Sequence, residues 1–366
     1  MWCPQFPIII NNRRNRQFRS GGIQVQQRND LTGKPSLMKE LNISLIKEAL
    51  TKHESATRVE LSSITGISQP TVNLLIRQLL KDRTVVSVGT IQAARGRKAE
   101  VFSLNIKRYR IASVIVTKNA FQYAISDMNL NIEDSCMIPR DTCSTFSQQL
   151  CSIIKQIIEK NQYVQAVSVG IPGAVSESGQ VFAIPHIPEW EKTNLKKLLE
   201  SKFKLPILIM NDINAIAVGY ACSFRTDVKN MVYLHVENNS IGAGIIINGC
   251  LYPGFSSFAG EIGYMQVGIG TSAEDLLPTS ASAQRTALLS AIATNIICVL
   301  NPEKIVIGGK DIPDSLYEHV QRGSFMQLPE EIMPQIIVID SYPDYYLRGL
   351  GEMGKRHLDK GVHLAE

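Results

Sequence analysis

Paired cysteines are missing from this chain of 366 residues. The seven cysteines, at 3, 136, 143, 151, 222, 250 and 298, are odd in number and scattered, with no CxxC. That excludes a disulfide framework and makes a reducing cytoplasm the expected compartment. No apolar run of about 18 residues stands out, which argues against a membrane span. MWCPQFPIIINNRRNRQFRSGG lacks a small-residue cleavage site and places its basic residues after its apolar patch, the reverse of a signal peptide. Acid is scarce at the front. Residues 1–37 hold six Lys and Arg against one acid, and residues 38–110 hold thirteen against six, whereas the rest holds nineteen against twenty-six. A basic front on an acidic body points to a polyanion partner for the front; the bland alternative is a solvated tail.

The length implies two or three domains. Residues 1–37 have no helical or strand periodicity and are rich in Asn, Gln, Arg and Gly, which reads as a disordered basic tail. Met38 directly precedes a helical pattern, and translation beginning there is the expectation, checked by N-terminal sequencing.

Residues 38–110 read as a winged helix-turn-helix. LNISLIKEALTKH repeats apolar residues at Leu41, Leu45, Ile46, Ala49 and Leu50. TRVELSSITG opens with Thr57 and Glu60 at capping-box spacing and is expected to bury Val59, Leu61 and Ile64. Gly66 ends that helix. Ser68 is expected to cap the next one, SQPTVNLLIRQLL, which has Pro70 in its first turn. Val72, Leu75, Ile76 and Leu79 form its buried face, and Gln69, Thr71, Asn73 and Arg77 its polar one. TVVSVGT and AEVFSLN then make a hairpin with Arg95, Arg97 and Lys98 at its tip, a wing.

The polar face suits a DNA major groove. Gln and Asn pair with adenine and Thr meets a thymine methyl or a phosphate, while Arg77, one turn on, suits a phosphate. Ser68, Gln69, Thr71, Asn73 and Arg77, with Arg95, Arg97 and Lys98 of the wing, are the candidate DNA-binding residues. A Gly-Arg-Lys tip fits a narrow minor groove.

From residue 111 strands and helices alternate, implying an α/β body with a substantially parallel sheet. IASVIVT, FQYAISD, AVSVGIPG, ILIMND, MVYLHVE, AGIIING and KIVIGG read as strands, and 145–160, 193–203, 212–223 and 281–299 as helices.

Five segments in order, GRKAEVFSLN with the winged helix, VSVGIPGAVSESGQV, NDINAIAVGYA, IGAGIIINGCLYPGFSSFAGEIGYMQV and LNPEKIVIGG, resemble the ROK family (repressors, open reading frames, kinases) over roughly residues 41–310. The resemblance implies an α/β chain: an N-terminal winged helix-turn-helix, then an actin/hexokinase-like (ribonuclease H-like) ATPase-fold body over 111–366, truncated in its C-terminal part. It implies that Asn211 and Asp212 reach sugar hydroxyls, Asp212 matching the general base of kinase members. It also implies that Glu261 binds sugar and that Gly173 lies in the loop approaching it. The plainer alternatives are that Asp212 caps a helix and that Glu261 is a solvated turn acid.

The departures decide more than the matches. Kinases of the family carry an Asp-x-Gly-x-Thr phosphate loop; here IVTKNA places Ile115 at the Asp, with no glycine between Ile111 and Leu130. The family's zinc-binding histidine is replaced by Tyr264, counted here among the effector-facing residues. Residues 255–297 contain no Cys or His, so no metal is expected. Glu274 is the one candidate for the missing second glutamate. Gly308 and Gly309 follow a strand, where packing is their ordinary use. No cofactor is expected.

Three functions remain open. The leading one is a cytoplasmic transcriptional regulator, a repressor of carbohydrate genes, binding a double-stranded DNA operator as a homodimer or higher homo-oligomer, answering to a sugar or sugar-phosphate effector and touching no membrane. The others are a sugar kinase with an extra domain and a constitutive DNA-binding protein whose effector pocket has decayed.

Overall fold

The computed structural model describes residues 35–92, 98–105, 109–161, 163–184, 186–224, 228–237, 240–279, 281–310, 312–321 and 328–361. Residues 1–34 of the basic tail, and Arg95 and Arg97 of the wing, lie outside them.

The front unit comprises α1 (Pro35–His53), β1 (Ala56–Thr57), α2 (Arg58–Thr65), α3 (Gln69–Lys81), β2 (Val85–Gln92) and β3 (Lys98–Leu104), with strands ordered β1-β3-β2. Its core gathers Ile46, Leu50, Leu61, Val72, Leu75, Ile76, Leu79, Val85 and Phe102, one cluster from all three helices and the hairpin. The capping box holds: Thr57 Oγ1 accepts from Glu60 N at 3.3 Å, and Glu60 Oε2 accepts from Thr57 N at 2.7 Å. Gly66 closes α2 at φ 72, in the left-handed region that favours glycine.

Three expectations for this unit are corrected. Helix α1 starts at Pro35, before Met38, and Leu41 is exposed. Helix α2 buries Leu61 alone, leaving Val59 60 % and Ile64 45 % exposed. At 3.6 residues per turn Val59 lies roughly 160° around the helix from Leu61, and two turns offer neighbours only one narrow face. Ser68 occupies the N-cap of α3 without capping it. Pro70, second in the helix, has no N–H to give, and the Ser68 hydroxyl pairs instead with Thr71 Oγ1 at 2.9 Å.

The body has two lobes of like topology. The first sheet contains β4 (Arg110–Val116), β5 (Ala120–Ser126), β6 (Ile132–Pro139), β7 (Val164–Ile171) and β10 (Ile207–Asn211). Between β6 and β7 lies α4 (Phe146–Lys160); between β7 and β10 lie the small hairpin β8 (Ala174–Val175) and β9 (Val181–Phe182), then α5 (Leu195–Phe203). Next comes α6 (Asp212–Ser223). The second sheet contains β11 (Met231–Glu237), β12 (Ser240–Ile247) and β13 (Cys250–Leu251). After the hairpin β14 (Gln266–Gly268) and β15 (Thr271–Ser272), α7 (Ala273–Leu276) and α8 (Ser282–Leu300), it is completed by β16 (Lys304–Gly309) and β17 (Gln335–Val338). Helix α9 (Asp314–Gln321) joins those two strands and α10 (Pro343–Gly361) follows.

The orders are β10-β7-β4-β5-β6 and β13-β12-β11-β16-β17. Each sheet is an antiparallel meander of three strands with two parallel strands added, so the expected parallel sheet is half antiparallel. Strands β6 and β17 and helices α9 and α10 went unread in the sequence.

The stretch Ala283–Leu300, with mean hydropathy 1.4, is long and apolar enough to cross a membrane by length and composition alone. In the fold its Leu289, Ile292, Ala293, Ile296 and Ile297 pack into the second-lobe core with Leu234, Ile305 and Ile307.

Helices α6 and α10 meet at close quarters, because glycines remove the side chains between them. A Cβ on Gly219 would stand 1.8 Å from the Tyr345 carbonyl oxygen, and one on Gly349 equally close to that of Ala215. The obstacle is backbone in both cases and has no rotamer to yield. Gly349→Ala is therefore expected to destabilise the body by roughly 3 kcal/mol, read as a lower urea midpoint.

Candidate functional site

The face of α3 turned to solvent carries Gln69, Pro70, Asn73, Leu74, Arg77 and Lys81. Gln69, Asn73 and Arg77 stand at i, i+4 and i+8, one above the other on the helix. The first turn has no acid and Lys81 lies in the last. Thr71 is half-buried and its hydroxyl pairs with that of Ser68. Arg58 is not free either: it bonds Glu100 Oε2 at 3.0 Å and its guanidinium lies 4.3 Å from the Phe102 ring centroid. Lys98 is exposed at the start of β3, opposite Gln92. Leu74 was missed, its signal being a lone apolar residue off the i, i+3, i+4 pattern.

The body's site begins where β10 ends. Asn211 caps α6: its Oδ1 accepts from Asn214 N at 3.0 Å, and its Nδ2 donates to the Gly173 carbonyl at 3.2 Å. Asp212 is thereby released from the capping role and becomes the first helical residue, its Oδ1 accepting from Ile213 N at 2.8 Å. Burial pushes its pKa up to about 6; the nearby His235 opposes that rise and Glu237 adds to it. Glu261 is half-buried ahead of the short turn Ile262–Tyr264. Its pKa is raised by burial, then by the charges of Asp212 and Glu274. The charges of Asp212 and Glu274 thus both act on Glu261.

Beside them opens a cleft of about 790 Å³, lined by Asn211, Asn214 and Glu261 together with Ser176, Pro253 and Phe255. Asp212 and Gly173 are not among its lining residues. Gly173 is buried, and a Cβ there would stand 2.8 Å from Ile184 Cβ, so its part is to hold Asn211 by its carbonyl. Tyr264 is 60 % exposed and its ring lies against Phe258, centroids 5.5 Å apart, away from the cleft lining. A phenol has an apolar face to cover and no metal bond to keep it inward.

A polar row on β11 was also missed. Tyr233, His235 and Glu237 point to one face by strand alternation. The Tyr233 hydroxyl lies 3.1 Å from His235 Nδ1, and His235 Nε2 lies 3.2 Å from Glu237 Oε2. Glu237 is also bonded by Lys310 and, at 3.3 Å, by the Tyr342 hydroxyl. The hydrogen bond from His235, followed by those of Lys310, holds its pKa down at about 2. The alternation Tyr-x-His-x-Glu was the available signal, obscured by the apolar run around it.

The β4–β5 turn is tight: Thr117 N donates to the Ala120 carbonyl at 2.9 Å, and Ala120 N donates to Thr117 Oγ1 at 3.1 Å. Ile115 is buried in the core with Tyr233, Val306 and Leu350, where it offers no oxygen to a metal.

Residues 112–275 match the model of the ROK family. The chain carries a ROK family domain. Over 241 residues it is 24 % identical to the xylose repressor of Bacillus spizizenii, covering 63 % of this chain and 62 % of that protein. Over 243 residues it is 25 % identical to the DNA-binding transcriptional dual regulator NagC of Escherichia coli, covering 64 % and 59 %. The matched part thus spans about three fifths of these relatives. Among solved structures, a ROK family transcriptional regulator, homolog of the E. coli MLC protein, superposes with TM-score 0.72 at 20 % identity, covering 89 % of this chain and 98 % of that one. The ROK hexokinase of Thermus thermophilus reaches 0.56 at 15 % identity, covering 69 % of this chain and all of that one. The ROK domain thus has the sugar-kinase fold. The regulator's likeness exceeds the hexokinase's by about the length of the front unit.

In the unfolded chain Asp212 ionises near its ordinary 3.8, and in the ROK domain near 6. The folded state binds the extra proton between those values. The stability this contributes is fully present below 3.8 and is lost as pH rises through 6. Asp212→Asn is expected to match the natural protein near pH 4 and to exceed it by roughly 1–3 kcal/mol at pH 8, measured by urea unfolding at both pH values.

Proposed function

We propose that this protein is a cytoplasmic DNA-binding transcriptional regulator, a repressor of carbohydrate genes whose ROK domain answers to a sugar or sugar phosphate. The observation that carries the reading is the acid-free row Gln69, Asn73 and Arg77 on an exposed helix of a basic unit. It is joined to a body whose acidic group of Asp212, Glu261 and Glu274 suits hydroxyl recognition. Curated relatives named as xylose repressor and NagC support it. The protein acts as a homodimer or higher homo-oligomer, so that two α3 helices address two half-sites, and effector binding shifts the population of arrangements that fit the operator.

No phosphoryl transfer is assigned to it. A buried Ile115 and the closed β4–β5 turn supply neither a metal ligand nor an anion cradle. A weak effector site is favoured by two details: Asn211 already spends its amide on Asn214 and Gly173, and Tyr264 lies against Phe258 outside the cleft lining.

Four outcomes are expected. Removing residues 38–110 abolishes sequence-specific DNA binding in a gel shift; binding by the 111–366 body as tight as by the full chain would refute the reading. Asn73→Ala costs about 1–3 kcal/mol at one base pair, whereas Arg77→Ala weakens all sequences alike and flattens the salt dependence. ATP, Mg²⁺ and common hexoses give no turnover, and sugar-dependent turnover lost in Asp212→Ala would make the protein a kinase. Any sugar seen by calorimetry binds near millimolar and is lost in Asp212→Ala and in Glu261→Ala.

A further inference from the structure

Leu74 has no role in the folding of its own helix. Val72, Leu75, Ile76 and Leu79 are at most 3 % exposed, and Leu74 is 66 % exposed. It follows Asn73 directly and precedes Arg77 by three, so the outermost stripe of α3 runs Pro70, Asn73, Leu74, Arg77 at i, i+3, i+4 and i+7. An apolar side chain thus sits at the centre of a face whose neighbours are an amide, a guanidinium and, one turn on, the ammonium of Lys81. A polar residue would serve the helix and its solubility as well. The face therefore meets something that is anionic at its edge and apolar at its centre.

A DNA major groove has that character. Phosphates line its rims, and its floor offers one apolar group, the 5-methyl of thymine. We propose that Leu74 is a specificity-determining residue that packs on a thymine methyl beside the base pair read by Asn73. The inference rests on the proposed role of α3 as the recognition helix. It adds that the half-site pairs an adenine, for the Asn73 amide, with a neighbouring thymine, for Leu74. A protein partner is the less suited occupant, because the surrounding residues 38–110 carry thirteen Lys and Arg against six acids.

The test uses the full chain and duplexes enriched by it from a randomised pool. Each thymine of the enriched duplex is replaced singly by deoxyuridine, which deletes the methyl and leaves every hydrogen-bonding group in place. One replacement per half-site is expected to weaken binding about fourfold, the effect of one buried methyl-sized group. In Leu74→Ala the thymine and deoxyuridine duplexes should bind equally, while the adenine preference lost in Asn73→Ala persists. Because Leu74 is exposed, the variant should keep the natural melting curve. A deoxyuridine penalty unchanged in Leu74→Ala, or none at any thymine, overturns the role of Leu74 and leaves the DNA reading standing. A pool with no enriched sequence removes both.

Discussion

The body is held together by an exchange of helices. Helix α6 leaves the last strand of the first sheet and packs on β12 and β11 of the second. Helix α10 leaves the last strand of the second sheet and packs on β7 and β4 of the first. Between the sheets the two helices lie against each other along most of their length, closely enough that Gly219 and Gly349 face backbone carbonyls. Glycines on the sheets do the same service: Gly244 of β12 admits Ala217, and Gly170 of β7 admits the ring of Tyr346. Each contact trades side-chain burial for proximity, and at each of these glycines no room is left for a side chain.

That junction is also what positions the site. Asn211 fastens the start of α6 to the Gly173 carbonyl in the first lobe, while Ile213 and Ala217 seat the helix over Gly242 and Gly244 in the second. Asp212 sits between these two attachments. Its neighbours come from the opposite lobe: Glu261 before a short turn, and His235 and Glu237 from β11. A ligand that hydrogen-bonded Asn211 and Glu261, both of which line the cleft, would couple to the seating of α6.

The winged helix was legible because its signals are local. Thr57 with Glu60, Gly66, and the spacing of Val72, Leu75, Ile76 and Leu79 each act within one helical turn. The strands of the body were legible as β-branched runs. Helix α10 was not, since PDYYLRGLGEMGKRHLDKG carries internal glycines that read as breakers, whereas Gly349 is the point of contact with Ala215. Strand β6 was missed because, as an exposed edge strand, its sequence IEDSCMIP has no apolar face to announce it. At the site, the sequence singled out Asn211, Asp212 and Glu261 but not the partners that hold them. Whether Asn211 or Asp212 caps α6 depends on backbone angles at one residue, and the inward or outward turn of Tyr264 depends on Phe258, neither of which spacing encodes.

The exchange of helices has a consequence for how the chain is made. Synthesis delivers β4, β5, β6, β7 and β10 early, but the helix that covers one face of β4 and β7 is α10, which ends at Gly361. Until it emerges from the ribosome, Ile111, Ile115 and their neighbours have no α10 to lie under. Neither lobe is then a finished folding unit, and the first waits in a partly uncovered, association-prone form for the last segment to arrive. Contacts between residues this far apart in sequence also close slowly. The same interlock that centres the site makes the body an all-or-nothing structure in time as well as in space.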